Sequence, residues 1–385
     1  MRTPEEFDEI RPYDPEELPA IFEELIADKE FEQVVSQVLP DVPYEKLRTI
    51  LRSCKTNLEV QKAIFYPLLK DLCTKLSNGF SLGCEDLKDK NTPHTYITNH
   101  RDIVIDSAFL SMGMMDYGFN NTVEIAIGDN LLIRPWIKKL VRVNKSFIVQ
   151  RGISMREILR SSARLSRYMH YAINTKHENI WIAQREGRAK DSDDRTQDSI
   201  LKMMAMGGEG SIIDRLKELH LVPTTLSYEY DPCDYLKAQE FQQKRDIPGF
   251  KKSPSDDLEN MKTGIFGFKG HIHFQMGSCI NEWLDTLPAD MPKTDIFTAI
   301  AQHIDQMIHK QYKLYPVNYL AADKLKGTHR FSEYYTPEDD AHFENYLKTQ
   351  LTKISLPNPD ESFLRERMLT MYANPVFNHE TACSQ

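Results

Sequence analysis

The sequence predicts an α/β protein: a layered central domain with a mostly parallel sheet, flanked by N- and C-terminal helical extensions. Three observations predict it. From about residue 94 to residue 277, short β-rich runs alternate with helical patterns, as strands joined by helical crossovers do. Before that, apolar residues recur at three- and four-residue spacings, the signature of a helix with one buried face. After about residue 290 the helical spacing returns. The expected regions are an N-terminal helical region over 1–85, the α/β domain over 86–285 and a C-terminal helical extension over 286–385.

In chain order, EELPAIFEELIADKEFEQVVSQVL (16–39) and LEVQKAIFYPLLKDLCTKL (58–76) read as helices, with Pro40 and Pro43 as punctuation. The strand-like runs are HTYITNH (94–100), TVEIAIG (122–128), KSFIVQR (145–151), NIWIAQRE (179–186), LVPTTLSYE (221–229) and GHIHFQMG (270–277). The helical patterns between them are DSAFLSMGMMDYG, NLLIRPWIKKLVRV, MREILRSSARLSRYMHYAI and DYLKAQEFQQKR. TAIAQHIDQMIHKQYKL and DDAHFENYLKTQL are the helices expected after 290. Open parallel sheets gather ligands at the carboxyl ends of their strands. Functional side chains are therefore expected just past each strand-like run.

The 385 residues suffice for a sizeable core. No apolar run approaches the ~20 residues that cross a bilayer, and the acidic start MRTPEEFDEIRPYDPEE has no apolar signal core. Six scattered cysteines without a C-x-x-C pair argue against a zinc site or a disulfide framework and suit a reducing cytoplasm. A formal net charge of −9 argues against generic nucleic-acid binding.

The stretch YITNHRDIVIDS (96–107) contains HRD, three letters shared with kinase catalytic loops. The kinase reading fails, because the position five after Asp102 is Ser107 where a magnesium-holding Asn is needed. No D-F-G follows and no glycine-rich loop precedes. His100 instead stands where a strand gives way to a helix. Asp102 is placed to cap that helix, and Asp106 lies four residues further on the same face. Either carboxylate could hold the imidazole in one tautomer, so that it takes a proton from a hydroxyl.

Four blocks in order carry a resemblance. They are NHRDIVID (99–106), SFIVQR (146–151), WIAQREGR (181–188) and LVPTTLSYE (221–229), with Gly128-x-Asn130-Leu131 between the first two. Over roughly residues 90 to 280 the chain resembles the glycerolipid acyltransferases, the superfamily of glycerol-3-phosphate and 1-acylglycerol-3-phosphate acyltransferases. With its extensions it looks like a soluble bacterial subgroup of them. The family's first block has Asp five residues after His; here Asp106 is six after and Asp102 two after. Asp106 is the better match, because DSAFL continues as the family's run does. The third block lacks the usual residue before its Glu-Gly, and its Arg188 stands one place early.

The resemblance implies transfer of an acyl group from a thioester, either acyl-CoA or acyl carrier protein, to a hydroxyl of a phosphorylated glycerol acceptor. It implies no acyl-enzyme, metal or cofactor, the thioester being a co-substrate. His100 would be the general base, supported by Asp106 or Asp102. Arg151, Arg188 and Lys190 would meet the acceptor's phosphate, because Arg suits bidentate contact. Glu186 would bond an acceptor hydroxyl or brace the arginines, Gly187 would admit close backbone approach, and Pro223 would shape the acyl-donor pocket. The implied location is cytoplasmic, with any membrane contact peripheral on the inner face. The alternatives are another lyso-lipid acceptor, or a non-catalytic module that binds acyl chains or carrier protein.

Between Arg134 and Arg167 stand ten Lys and Arg against one acid, Glu157. This stretch reads either as a solvated helix face or as a docking surface for anionic lipid or an acidic carrier protein, with Trp136 and Ile137 dipping into an interface. His271 and His273 share a strand face but lack Cys or carboxylate partners, so no metal is expected there. Asp193 and Asp194 read as parts of a flexible charged loop, and Gly207-Gly208-Glu209-Gly210 as a helix cap and turn.

Overall fold

A computed structural model of the protein describes residues 2–38, 42–151 and 155–384; Pro40 lies outside them. Seven strands form one sheet: β1 (Gly79–Gly83), β2 (Thr95–Thr98), β3 (Val123–Gly128), β4 (Ser146–Val149), β5 (Asn179–Ala183), β6 (Leu221–Tyr228) and β7 (His271–Met276). Their order is β1-β7-β6-β2-β5-β3-β4. The five strands from β6 to β4 run parallel. β7 pairs antiparallel with β6, and β1 pairs parallel with β7. The fold is therefore α/β with a mostly parallel sheet.

All six strand-like runs of the sequence hold strands. β1 is a seventh, inside the stretch read as helical. Its sequence, Gly-Phe-Ser-Leu-Gly, begins and ends with the residue that weakens strands most, so its propensity signal is faint. It is secured by packing. Phe80 presses on Gly113 so closely that a Cβ there would lie 2.7 Å from the ring.

Successive side chains of the central strands point to opposite faces. Ile97, Ile180 and Ile182 join one apolar layer with the helices Met155–Asn174 and Lys293–Lys310. Tyr96, Trp181 and Val222 join the other with the helix Ile105–Asp116. Burial on both faces explains the near-continuous apolar runs. The N-terminal helices have their own cluster, built on Phe22, Phe31 and Leu47, which takes in Trp136 and Val143 of the helix Pro135–Val143. Trp136 is thus buried, with its ring 5.8 Å from that of Phe31, and is unavailable to a membrane interface. Among the described residues no helix is long and apolar enough to cross a membrane.

The basic stretch is largely neutralised by the acidic N-terminal segment. Arg134 pairs with Glu30 (3.3 Å), Lys139 with Glu24 (2.6 Å), Arg164 with Glu9 (2.8 Å) and Arg167 with Glu6 (2.7 Å). Arg142 is buried and donates to the carbonyls of Arg11 and Asp8. Lys145 is buried against Glu178. Arg156 and Arg160 remain exposed beside exposed Ile158 and Leu159. Local charge counting missed this because the N-terminal acids lie more than 100 residues away in sequence.

The C-terminal helices Pro316–Lys326, Pro337–Leu351 and Glu361–Cys383 bury a cluster that includes Ala238 of the helix Asp234–Asp246. Asp234 anchors them. Its carboxylate accepts from Tyr346 (2.7 Å), Tyr372 (2.8 Å) and Gln350 (2.6 Å). Burial pushes its pKa up to about 6, opposed by the Tyr346 bond and aided by the charge of Asp231. A raised folded-state pKa means that its stabilising share is present below about pH 4 and is lost as pH rises through about 6. That share is about 3 kcal/mol. Urea unfolding across pH 4 to 7 should show this slope in wild type, with Asp234→Asn flattening it by that amount. An unchanged slope would remove Asp234 as its source.

Candidate active site

β2 ends at Thr98, and Asn99 prolongs its pairing to β6. The Asn99 side chain donates to the Leu226 carbonyl (2.9 Å) and accepts from the Leu226 amide (2.8 Å). The chain then turns outward at His100. Asp102 sets up the helix that follows: its Oδ1 accepts from the amides of Val104 (2.8 Å) and Ile105 (3.0 Å), two donors a helix start leaves without partners. The helix Pro254–Phe266 backs directly on this carboxylate, since a Cβ on Gly264 would stand 1.8 Å from Oδ2.

Asp106, in the first turn of that helix, carries the imidazole. Its Oδ2 lies 2.8 Å from His100 Nδ1 and accepts from the amides of Arg101 (2.7 Å) and Asp102 (3.0 Å). Its Oδ1 accepts from the Tyr228 hydroxyl (2.9 Å). An ionised carboxylate only accepts, so in the neutral imidazole Nδ1 carries the proton and Nε2 the lone pair. Nε2 has no hydrogen-bond partner among the described residues. The Asp106 side chain is 1 % exposed and that of His100 12 %. The Trp181 ring stands edge-on at 5.6 Å, fixing the imidazole plane from the β5 side. Burial, and then the charge of Asp106, raise the Asp102 carboxyl; burial and Asp106 likewise hold the Tyr228 phenol well above its usual range. Of the two acids, Asp106 meets the histidine and Asp102 starts the helix.

Other expected residues divide. Arg151, just past β4, donates its amide to Asp129 (3.0 Å) and lays its guanidinium across Gly128. A Cβ at Gly128 would be 3.0 Å from Arg151 Nε. Its Nη1 is 3.5 Å from Glu186, a loose, half-open pair that brings together the loops after β4 and β5. Gly187 has φ of 69°, a left-handed turn that suits glycine. Arg188 donates to Asn260 (3.0 Å), while its Nη1 is buried without a partner. Lys190 is turned elsewhere, onto Glu240 of the helix Asp234–Asp246. Burial pulls its pKa down to about 8, against the pull of Glu240. Pro223 is buried within β6 beside Ile97, and its carbonyl accepts from Gly277 (2.9 Å).

Asp194 is the chief correction. It is fully buried and forms a bidentate pair with Arg101, at 2.8 and 2.6 Å. Asn99 (3.2 Å) and Tyr312 (2.5 Å) also donate to it, and His309 donates to its carbonyl (2.8 Å). The loop read as flexible is therefore tied beneath the His100 turn. Asp193 is tied as well, its Oδ1 accepting from Asn378 (3.2 Å) and pairing with Arg195 (3.0 Å). Nothing in local composition signals a pair 93 residues apart. His271 bonds Glu229 (2.7 Å) and His273 bonds Ser81 (2.8 Å). Among the described residues no group of three or more His, Cys, Asp or Glu is arranged to hold a metal.

The carboxyl ends of β2, β5, β6, β3 and β4 thus present a buried acid–histidine pair, an unpartnered guanidinium nitrogen and a half-open Arg–Glu pair. Compared with known proteins, the chain matches no family model and no curated protein.

Proposed function

We propose that the protein is a glycerolipid-type O-acyltransferase with a layered acyltransferase domain, in which His100 is the general base. The observation that supports this most is the orientation of His100: Asp106 accepts the Nδ1–H hydrogen bond, and Nε2 is left as an unpartnered base at a sheet end. Nε2 removes the proton of an acceptor hydroxyl as its oxygen attacks the thioester carbonyl. The tetrahedral intermediate collapses with cleavage of the C–S bond, and the thiolate takes the proton back from His100. Asp106 stays ionised throughout and stabilises the transient imidazolium. Arg188, with its unpartnered Nη1, and Arg151, held only loosely by Glu186, are the cations for the acceptor's phosphate. Lys190, engaged by Glu240, acts in this reading as a brace for the Arg188 loop.

The donor is acyl-CoA or acyl carrier protein, and the acceptor glycerol-3-phosphate or 1-acylglycerol-3-phosphate. The test is incubation of the purified protein with each thioester and each acceptor, plus neutral lyso-lipids, with products read by mass spectrometry. The expected result is an acylated phosphoglycerol and one free thiol per turnover. Failure of every pair would overturn the reading.

A further inference from the structure

A cavity of about 560 Å³ opens at the other end of the sheet. His94 precedes β2 and His220 precedes β6, so both lie at the amino ends of the parallel strands while His100 lies beyond the carboxyl end of β2. The segment after β7 and one face of the helix Lys293–Lys310 complete the wall. On that helix His303, Met307 and Lys310 recur at i, i+4 and i+7 and so share the lining face.

Three features of the wall define what fits. First, Trp283 and His303 stack face to face, with centroids 3.8 Å apart and planes 2° from parallel, a flat platform flanked by Leu87, Ile280 and Met307. Second, two imidazoles meet at the strand ends, with centroids 6.0 Å apart. His220 Nδ1 faces the Pro93 carbonyl (2.9 Å), which can only accept, so in the neutral ring Nε2 carries the lone pair. His94 is 5 % exposed, and its Nδ1 is buried without a partner. Burial lowers the pKa of His94 and of His303 to about 4, so both rings are neutral near pH 7. Third, Lys310 has no anionic partner among the described residues, whereas Lys88 is paired with Glu282 (2.5 Å). The Asp89 carboxylate is turned into its own loop, accepting from Thr92 (2.6 Å) and Asn91 (2.8 Å).

We propose that this cavity is a second ligand site, for a planar aromatic anion that carries an N–H or O–H donor. The ring lies against the Trp283–His303 platform, the donor meets the His94–His220 pair, and the anionic group sits at Lys310. The volume is that of an ordinary small-molecule site. The site stands independently of the acyltransferase reading, because it shares no residue with the carboxyl-end machinery.

The probe is 1-anilinonaphthalene-8-sulfonate, which has the ring, the N–H and the anion. Titration of the full chain should give one saturable site with quenching of tryptophan emission. Trp283→Phe should lose most of the quenching. Lys310→Glu should weaken binding about tenfold, the scale of one charge-assisted contact. Ser278→Trp, at the exposed rim, should block it. Both rim variants are surface changes, and their unfolding midpoints check that they fold. Absence of a saturable site, or unchanged affinity in the folded Lys310→Glu and Ser278→Trp variants, would overturn the proposal.

Discussion

His100→Ala should lower acyl transfer by about 10³-fold in kcat, within the range that removal of a positioned general base produces. KM should change little, because in the proposed mechanism the imidazole would contribute to the transition state rather than to ground-state binding. The variant should fold. Removing the ring takes one donor from Asp106, but the amides of Arg101 and Asp102 and the Tyr228 hydroxyl still satisfy it. Added imidazole should restore part of the rate by occupying the vacated space. Asp106→Asn would be a poorer first test, since its NH2 would face a ring of donors and disturb the turn itself. The measurement is steady-state turnover with the best donor and acceptor pair, beside a urea unfolding curve. Equal turnover in the two proteins would remove His100 as the base.

Periodicity made the strands legible because central strands buried on both faces are rich in apolar residues, as at Tyr96, Ile97, Ile180 and Val222. β1 was hidden because its place depends on Phe80 packing over Gly113, a tertiary contact without a local pattern. At the site, His100 and Asp106 were legible because they lie six residues apart across one strand-to-helix junction, His100 just past β2 and Asp106 in the first turn of the helix. The run after Asp106 already favoured it over Asp102, and in three dimensions Asp102 spends Oδ1 on the helix start while Asp106 faces the ring. The ion pairs of Lys190 and of the basic stretch were not legible for one reason. Their partners, Glu240, Glu6, Glu9, Glu24 and Glu30, are distant in sequence, and charge counts see only neighbours.

Arg101→Ala should cost about 4 kcal/mol of stability, because it leaves Asp194 as a buried charge without its counter-ion. Burial works to raise the Asp194 carboxyl, but the Arg101 guanidinium and the Tyr312 hydroxyl prevail and hold it below the usual range. A depressed folded-state pKa contributes stability that is present above about pH 4 and lost as pH falls further. Wild type should therefore lose this share on acidification, and Arg101→Ala should already lack it at neutral pH. Arg101→Lys should fall between, since a point charge cannot reproduce the bidentate contact with both oxygens. The double change Arg101→Met with Asp194→Leu should recover only part of the loss, because it removes the unpaired buried charge but leaves the Tyr312 hydroxyl and the Asn99 amide without their acceptor. Urea unfolding of the four proteins reads the order directly; single variants within ~0.5 kcal/mol of wild type, the usual surface effect, would sink the argument. In the proposed function the pair would also matter to chemistry, because Arg101 is the residue after the proposed base and its amide bonds the same oxygen of Asp106 as the imidazole does. The double variant should be more stable than Arg101→Ala yet poor in turnover, since the Arg101→Met change keeps the backbone amide but loses the clamp that sets where the turn sits. Stability partly restored without activity would separate the positioning role of Arg101 from its contribution to the fold.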